Sequence, residues 1–171
     1  MSAADADAYG RTVYSSAVVM VRRAGSGDVD ELRAIAVAAY RKYAGRIGRA
    51  PAPVTADYAQ AVRDGQAWAA VEDGQIIGFA VVMAQPGYLL LDNVAVLPAA
   101  QGRGIGARLL ALAGEQARGL GLGEIRLYTS EAMTENLACY PRHGYAETHR
   151  AEQGIQPGVL PQTHRLTRLA A

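Results

Sequence analysis

The spacing of apolar positions changes period several times along the chain, and each change predicts an element. In "AVVMVRRA" (Ala17 to Ala24) apolar residues run together, as in a strand. In "SGDVDELRAIAVAAYRKYA" they fall at Val29, Leu32, Ile35, Ala36 and Ala39, close to a helical period. Asp28 reads as the N-cap of that helix, with Glu31 three residues on completing a capping box. "GRIGRAPAPVT" then breaks regular structure with glycine and proline, and "ADYAQAVRDGQ" reads as a short helix. "AWAAVEDGQIIGFAVVMAQPG" reads as two strands about the turn "EDGQ". "YLLLDNVAVLP" is almost continuously apolar, so it belongs in the middle of a sheet. "GIGARLLALAGEQARGLG" carries Ile105, Leu109, Leu112, Ala113 and Leu120 on one helical stripe. "EIRLYTS" is a strand. "TENLACYPRHG" is a short helix interrupted near Pro141 and ended by Gly144. "YAETHRAEQG" and "LPQTHRLTRLA" close the chain as an antiparallel pair.

This order of elements predicts an α/β (α+β) fold with a mixed central sheet in a single domain over residues 17–171. Residues 1–16 read as a mobile lead-in. No internal repeat is visible. At 171 residues, half of them hydrophobic, the chain can bury one sizeable core. A formal charge of +1 without a basic block argues against a nucleic-acid partner. The apolar runs are too short to span a bilayer, and the acidic N-terminus lacks the apolar core of a signal peptide. One cysteine, Cys139, excludes an internal disulfide framework and suits a cytoplasmic setting. Cys139 reads as a buried small apolar residue beside Tyr140, and Trp68 as hairpin core. The three histidines, His143, His149 and His164, need no special role, and with Cys139 they show no metal-ligand spacing, so no metal is expected.

The stretch that asks for chemistry is "QGRGIG", Gln101 to Gly106, with glycine at every second position between a strand and a helix. Helix N-termini leave N–H groups unpaired and carry partial positive charge. Glycines let those groups close on an anion without Cβ interference. A diphosphate suits such a turn, and Arg103 could add a charged bond. A P-loop is disfavoured because Ala107 and Arg108, not Lys and Ser/Thr, follow Gly106. A dinucleotide fingerprint is disfavoured by the G-x-G-x-G spacing and the mid-chain position.

"VAVLPAAQGRGIGARLL" resembles the acyl-CoA-binding motif of the GNAT N-acetyltransferase superfamily, Q/R-x-x-G-x-G/A, through Gln101, Gly104 and Gly106. "TENLACYPRHGY" resembles the same family's N-x-x-x-Y-x-x-x-G-[FY] through Asn136, Tyr140, Gly144 and Tyr145. The two motifs stand in the family's order, and the resemblance covers roughly Ala17 to Leu169. It implies a mostly antiparallel sheet of about seven strands, splayed at the cofactor site, with a bulge in the strand before the glycine turn, and flanked by about four helices. It also implies acetyl-CoA as co-substrate, bound by Val94, Ala95 and Val96, by Gln101, Gly102, Arg103, Gly104, Ile105, Gly106 and Ala107, and by Asn136 and Tyr140. Tyr140 would be the general acid, because a phenol can donate to a leaving thiolate of similar basicity. The general base stays unassigned, with Asp92 and Glu131 as nearby carboxylates.

By the same resemblance, the acceptor is met by the first helices and their connection. There Tyr40, Tyr43, Arg46, Arg49 and Tyr58 crowd aromatic faces and polar tips into an irregular segment. The arginines suggest a carboxylate or phosphate beside the acceptor's amine. The expected reaction is acetyl transfer to the primary amine of a small metabolite in a ternary complex. A protein or peptide acetyltransferase, a non-catalytic acyl-CoA-binding module and a homodimer stay open.

Overall fold

The computed structural model describes residues 5–6, 12–13, 18–48, 50–151 and 163–170. Most of the expected lead-in, Arg49 and residues 152–162 therefore lie outside the described residues. Strands β1 (Asp5–Ala6) and β2 (Thr12–Val13) pair with each other in a small antiparallel ladder of their own. The chain continues through β3 (Met20–Arg23), α1 (Val29–Ile47), α2 (Ala52–Thr55), α3 (Tyr58–Arg63), β4 (Ala67–Glu72) and β5 (Gln75–Gln85). It then forms β6 (Tyr88–Val96), α4 (Ile105–Gly119), β7 (Glu124–Ser130), α5 (Thr134–Cys139), β8 (Ala146–Ala151) and β9 (Thr163–Leu169). The last seven strands make one sheet in the order β3-β4-β5-β6-β7-β9-β8, antiparallel except between β6 and β7.

Local chemistry explains the element ends. At the β4–β5 turn Asp73 and Gly74 take φ values of 49° and 80°, the left-handed pair a tight hairpin needs. Helix α1 runs past Gly45 to Ile47 and stops at Gly48, whose N–H bonds to Ala44 O at 3.1 Å. The expected capping box at its start does not form. The Asp28 carboxylate instead accepts from Gly25 N–H and from the Arg22 guanidinium, both at 2.7 Å, and caps a 3-10 turn before the helix. Helix α3 starts at Asp57, whose side chain accepts from Gln60 N–H.

Two apolar layers sandwich the sheet. On one face α1 and α3 bury Leu32, Ile35, Ala36, Tyr43 and Tyr58 against Phe79, Val81 and Ala95. On the other α4 buries Ile105, Leu109, Leu110 and Ala113 against Leu89, Leu91, Ile125 and Leu127. Each fully buried Leu or Ile contributes about 1.5–3 kcal/mol. Leu120, expected on the α4 stripe, is exposed because the helix ends at Gly119. Trp68 is half-buried and stacks under Arg23.

One irregularity in β6 sets up everything that follows. Val82 faces Leu91 and Val81 faces Asn93, so Asp92 is an extra residue with no partner on β5. Leu89 and Leu91 face α4, but beyond the bulge Asn93 and Ala95 face α1. Asn93 is 5% exposed, and both ends of its amide are hydrogen-bonded. Its Oδ1 accepts from Tyr40 Oη at 2.8 Å, and its Nδ2 donates to Tyr58 Oη at 2.7 Å. The single Tyr40 proton is shared with the more distant Val94 O, and Tyr58 donates to Pro53 O. Asn93→Ala is expected to destabilise the fold by about 1–3 kcal/mol in urea unfolding, since Tyr40 keeps Val94 O and Tyr58 keeps Pro53 O as acceptors.

Candidate active site

Strands β6 and β7 pair only at Leu89–Ile125 and Leu90–Arg126, then separate. Leu97 N–H donates to Ile77 O on the β5 side. Strand alternation therefore turns the peptide groups of Val94 and Val96 toward the gap. Two side chains reach them there: Tyr40 Oη meets Val94 O at 3.2 Å, and Gln101 Nε2 meets Val96 O at 3.1 Å.

The glycine turn lies at the same gap. Gly102 and Gly104 have φ values of 75° and 78°, and Gly104 is the N-cap of α4. Gly106 sits in the first helical turn with the Val96 side chain 4.0 Å from where its Cβ would be. Gly78 on β5 leaves room for the turn, because a Cβ there would lie 2.9 Å from Ala95 O and 3.3 Å from Ile105. The N-terminal N–H groups of α4 therefore open toward the splayed edge.

A cleft of about 430 Å³ joins these parts. Val94, Ala95, Val96, Gln101, Gly102, Gly104, Gly106, Ala107, Asn136 and Tyr140 all line it. Arg103 and Ile105 do not: Arg103 turns outward to Glu72, and Ile105 is 2% exposed in the core. Helix α5 and the 3-10 turn after it present Asn136, Cys139, Tyr140 and His143 to the cleft, an i, i+3, i+4, i+7 stripe. Tyr140 is 9% exposed and stands edge-on to Tyr145 at 5.7 Å. Burial, then the neighbouring Tyr145 and Cys139, push its pKa well above the ordinary phenol value. Among the described residues nothing hydrogen-bonds to its hydroxyl.

The expected acceptor segment is not irregular. Tyr40, Tyr43 and Arg46 lie on α1, and α2 occupies the proline-rich part. Tyr40 and Tyr43 line the same cleft as the glycine turn, whereas Tyr58 is 1% exposed and belongs to the core. Arg46 crosses to α5 and bonds Glu135 at 2.8 Å, with Lys42 Nζ 3.8 Å from the same carboxylate. Both cations also lie over the Tyr43 ring. The Arg46 bond, above all, holds the Glu135 carboxyl down at about 2. That folded-state value is below the ordinary 4.5, so this strap is fully formed above about pH 4.5 and fades as pH falls toward 2.

Cys139 corrects a sequence expectation: it is exposed, because the stripe it shares with Tyr140 faces the cleft and not the core. His143 also lines the cleft, although no role was expected of it. His164 is buried on β9 with Nδ1 2.9 Å from Glu147. Asp92 keeps contact with solvent, yet the surrounding protein desolvates its carboxyl and raises it. Glu131 is exposed and does not line the cleft. Lys42 and Glu135 were missed by sequence reasoning, and their only local signal was the i, i+4 spacing of Lys42 with Arg46. Among the described residues no group of His, Cys, Asp and Glu could hold a metal, and no helix is long and apolar enough to cross a membrane.

A sequence model of the acetyltransferase (GNAT) family matches residues 28–145. A mycothiol acetyltransferase from Jonesia denitrificans is 34% identical over 88 residues, a match spanning 50% of this chain and 28% of that protein. Among solved structures, the PaiA N-acetyltransferase of Thermoplasma acidophilum in complex with coenzyme A is similar at a TM-score of 0.74 and 16% identity, over 89% of this chain and 99% of that one. The ribosomal-protein-S18-alanine N-acetyltransferase of Escherichia coli is similar at 0.70 and 16% identity, over 90% and 95% of the two chains. At these identities the structural likeness speaks for the fold.

Proposed function

Because the chain belongs to the acetyltransferase (GNAT) family, we propose that it transfers acetyl from acetyl-CoA to the primary amine of a small metabolite by direct attack in a ternary complex. One observation carries the reading: a single cleft gathers an anion-ready helix start, an open strand edge and a buried, unpartnered phenol. The N–H groups from Gly102 to Ala107 suit the pyrophosphate of the co-substrate, helped by the positive end of α4. The Val94 and Val96 peptide groups suit the amides of its pantetheine arm and the thioester carbonyl. Acetyl-CoA supplies the activated acyl group. Tyr140 holds a proton for the leaving thiolate, and its raised pKa keeps it protonated across the working range.

The strap of Arg46, Lys42 and Glu135 favours a small acceptor over a protein. It ties α1 to α5 across the cleft and narrows that end. Two cations against one carboxylate leave positive charge there, which suits an acceptor with an anionic group near its amine. Arg46 is half-exposed and already paired, so its contribution is modest. Arg46→Ala is expected to raise the Michaelis constant of the best acceptor about 2–5-fold and to spare that of acetyl-CoA.

The test of the reading is CoA release measured over a panel of amines, amino acids and peptides. Turnover of small anionic amines well above that of peptides is the expected result. Preference for peptides would make the chain a peptide acetyltransferase, and binding of acetyl-CoA without turnover of any amine would make it a non-catalytic acyl-CoA-binding module.

A further inference from the structure

Cys139 stands in the cleft at a place where its chemistry has a partner. It is the chain's one cysteine and is exposed. It occupies the cleft-facing stripe of α5 between Asn136 and Tyr140, and it adjoins that nine-tenths-buried phenol, which lines the same cleft and has no hydrogen-bond partner among the described residues. Lys42 and His143 line the same wall, and Lys42 with Arg46 outnumbers the single carboxylate of Glu135. A thiol on this open wall is accessible to a reagent held in the cleft.

We propose that Cys139 is a redox modification site, and that oxidised coenzyme A, the CoA disulfide, reacts with it inside the cleft. The inference rests on the acetyl-CoA reading of the cleft. The Cys139 thiolate attacks one sulfur of the disulfide, forming a Cys139–S–S–CoA bond. The original S–S bond breaks, and the second CoA leaves as a thiolate that takes a proton from water. One disulfide is consumed and one is made, so no further oxidant is needed. The attached CoA then fills the cleft that the co-substrate needs, and the enzyme is switched off until a thiol reductant releases it.

The experiment incubates the whole protein with CoA disulfide and, separately, with hydroxyethyl disulfide, a small disulfide that the cleft does not recognise. Intact mass follows the adduct, and acetyl-CoA affinity is measured on the untreated sample. The expected result is a single CoA adduct, reversed by dithiothreitol and slowed by excess acetyl-CoA. It should form at least about tenfold faster than the hydroxyethyl adduct, because the cleft raises the local concentration of the reagent. Cys139→Ser should take up no CoA, and whatever its rate of turnover, that rate should be indifferent to the disulfide. Equal rates with both disulfides, or no protection by acetyl-CoA, in a protein that binds acetyl-CoA normally, would show an ordinary surface thiol and overturn the inference alone. Failure of the untreated protein to bind acetyl-CoA would overturn it together with the reading of the cleft.

Discussion

Tyr140→Phe is expected to lower turnover about 10²–10⁴-fold while leaving acetyl-CoA affinity nearly unchanged. The ring itself does structural work: it packs beside Tyr145 in the α4-side core, and phenylalanine preserves that contact. Only the hydroxyl is removed, and no described protein group depends on it, so folding stability should move by less than about 1 kcal/mol. A loss confined to turnover is therefore the signature of a proton donated in the transition state. The measurement is single-turnover acetyl transfer beside equilibrium binding of acetyl-CoA. A wild-type chemical rate would remove Tyr140 from the mechanism, and a parallel loss of affinity would make it a packing residue of the cleft.

The second large effect is expected from the glycine turn, and the structure chooses which glycine to change. Gly104 has a φ of 78°, so any side chain there strains the backbone by roughly 1–2 kcal/mol before a ligand is considered. Gly106 is helical and has open space around its Cβ position apart from Val96. Gly106→Val should therefore leave stability within about 1 kcal/mol of wild type. It should nevertheless weaken acetyl-CoA binding about 100-fold, by displacing two or more charged hydrogen bonds at the helix start. Calorimetric titration beside urea unfolding separates the two quantities. Unchanged affinity in the folded variant would move the diphosphate elsewhere.

The strands were legible because their alternation and turn residues are local. Asp-Gly at 73–74 announces the hairpin, and the apolar run at 88–97 announces a central strand. The two glycine- and tyrosine-bearing motifs were legible for the same reason, since each lies within a dozen residues. What stayed hidden depends on partners far away in sequence. The Arg46–Glu135 pair joins residues 89 apart, so Arg46 looked like part of a free basic segment. Gly45 looked like a helix stop, but Ile47 packs on the α1-side core and carries the helix a further turn. Cys139 looked buried by residue type, because nothing in the sequence says that a cleft and not a core faces that stripe. The bulge was implied by the family resemblance alone, because Leu89, Leu90 and Leu91 are apolar on both faces and give no parity to break.

That bulge makes the site a matter of counting. The groups offered to the cleft by β6 are peptide groups, common to every residue type, and they face the gap because Asp92 stands outside the pairing and Asn93 takes the place opposite Val81. Substitutions at positions 94 to 96 can therefore change volume or polarity and still leave the strand edge able to bind. Removing residue 92 would change no other letter of the sequence. Asn93 would then follow Leu91 directly and keep its place opposite Val81, whereas removing Val94 instead would turn the Val96 peptide group back toward β5. In this stretch, chain length carries the information that elsewhere is carried by side chains, and a family history rich in replacements but free of insertions and deletions there is its natural record.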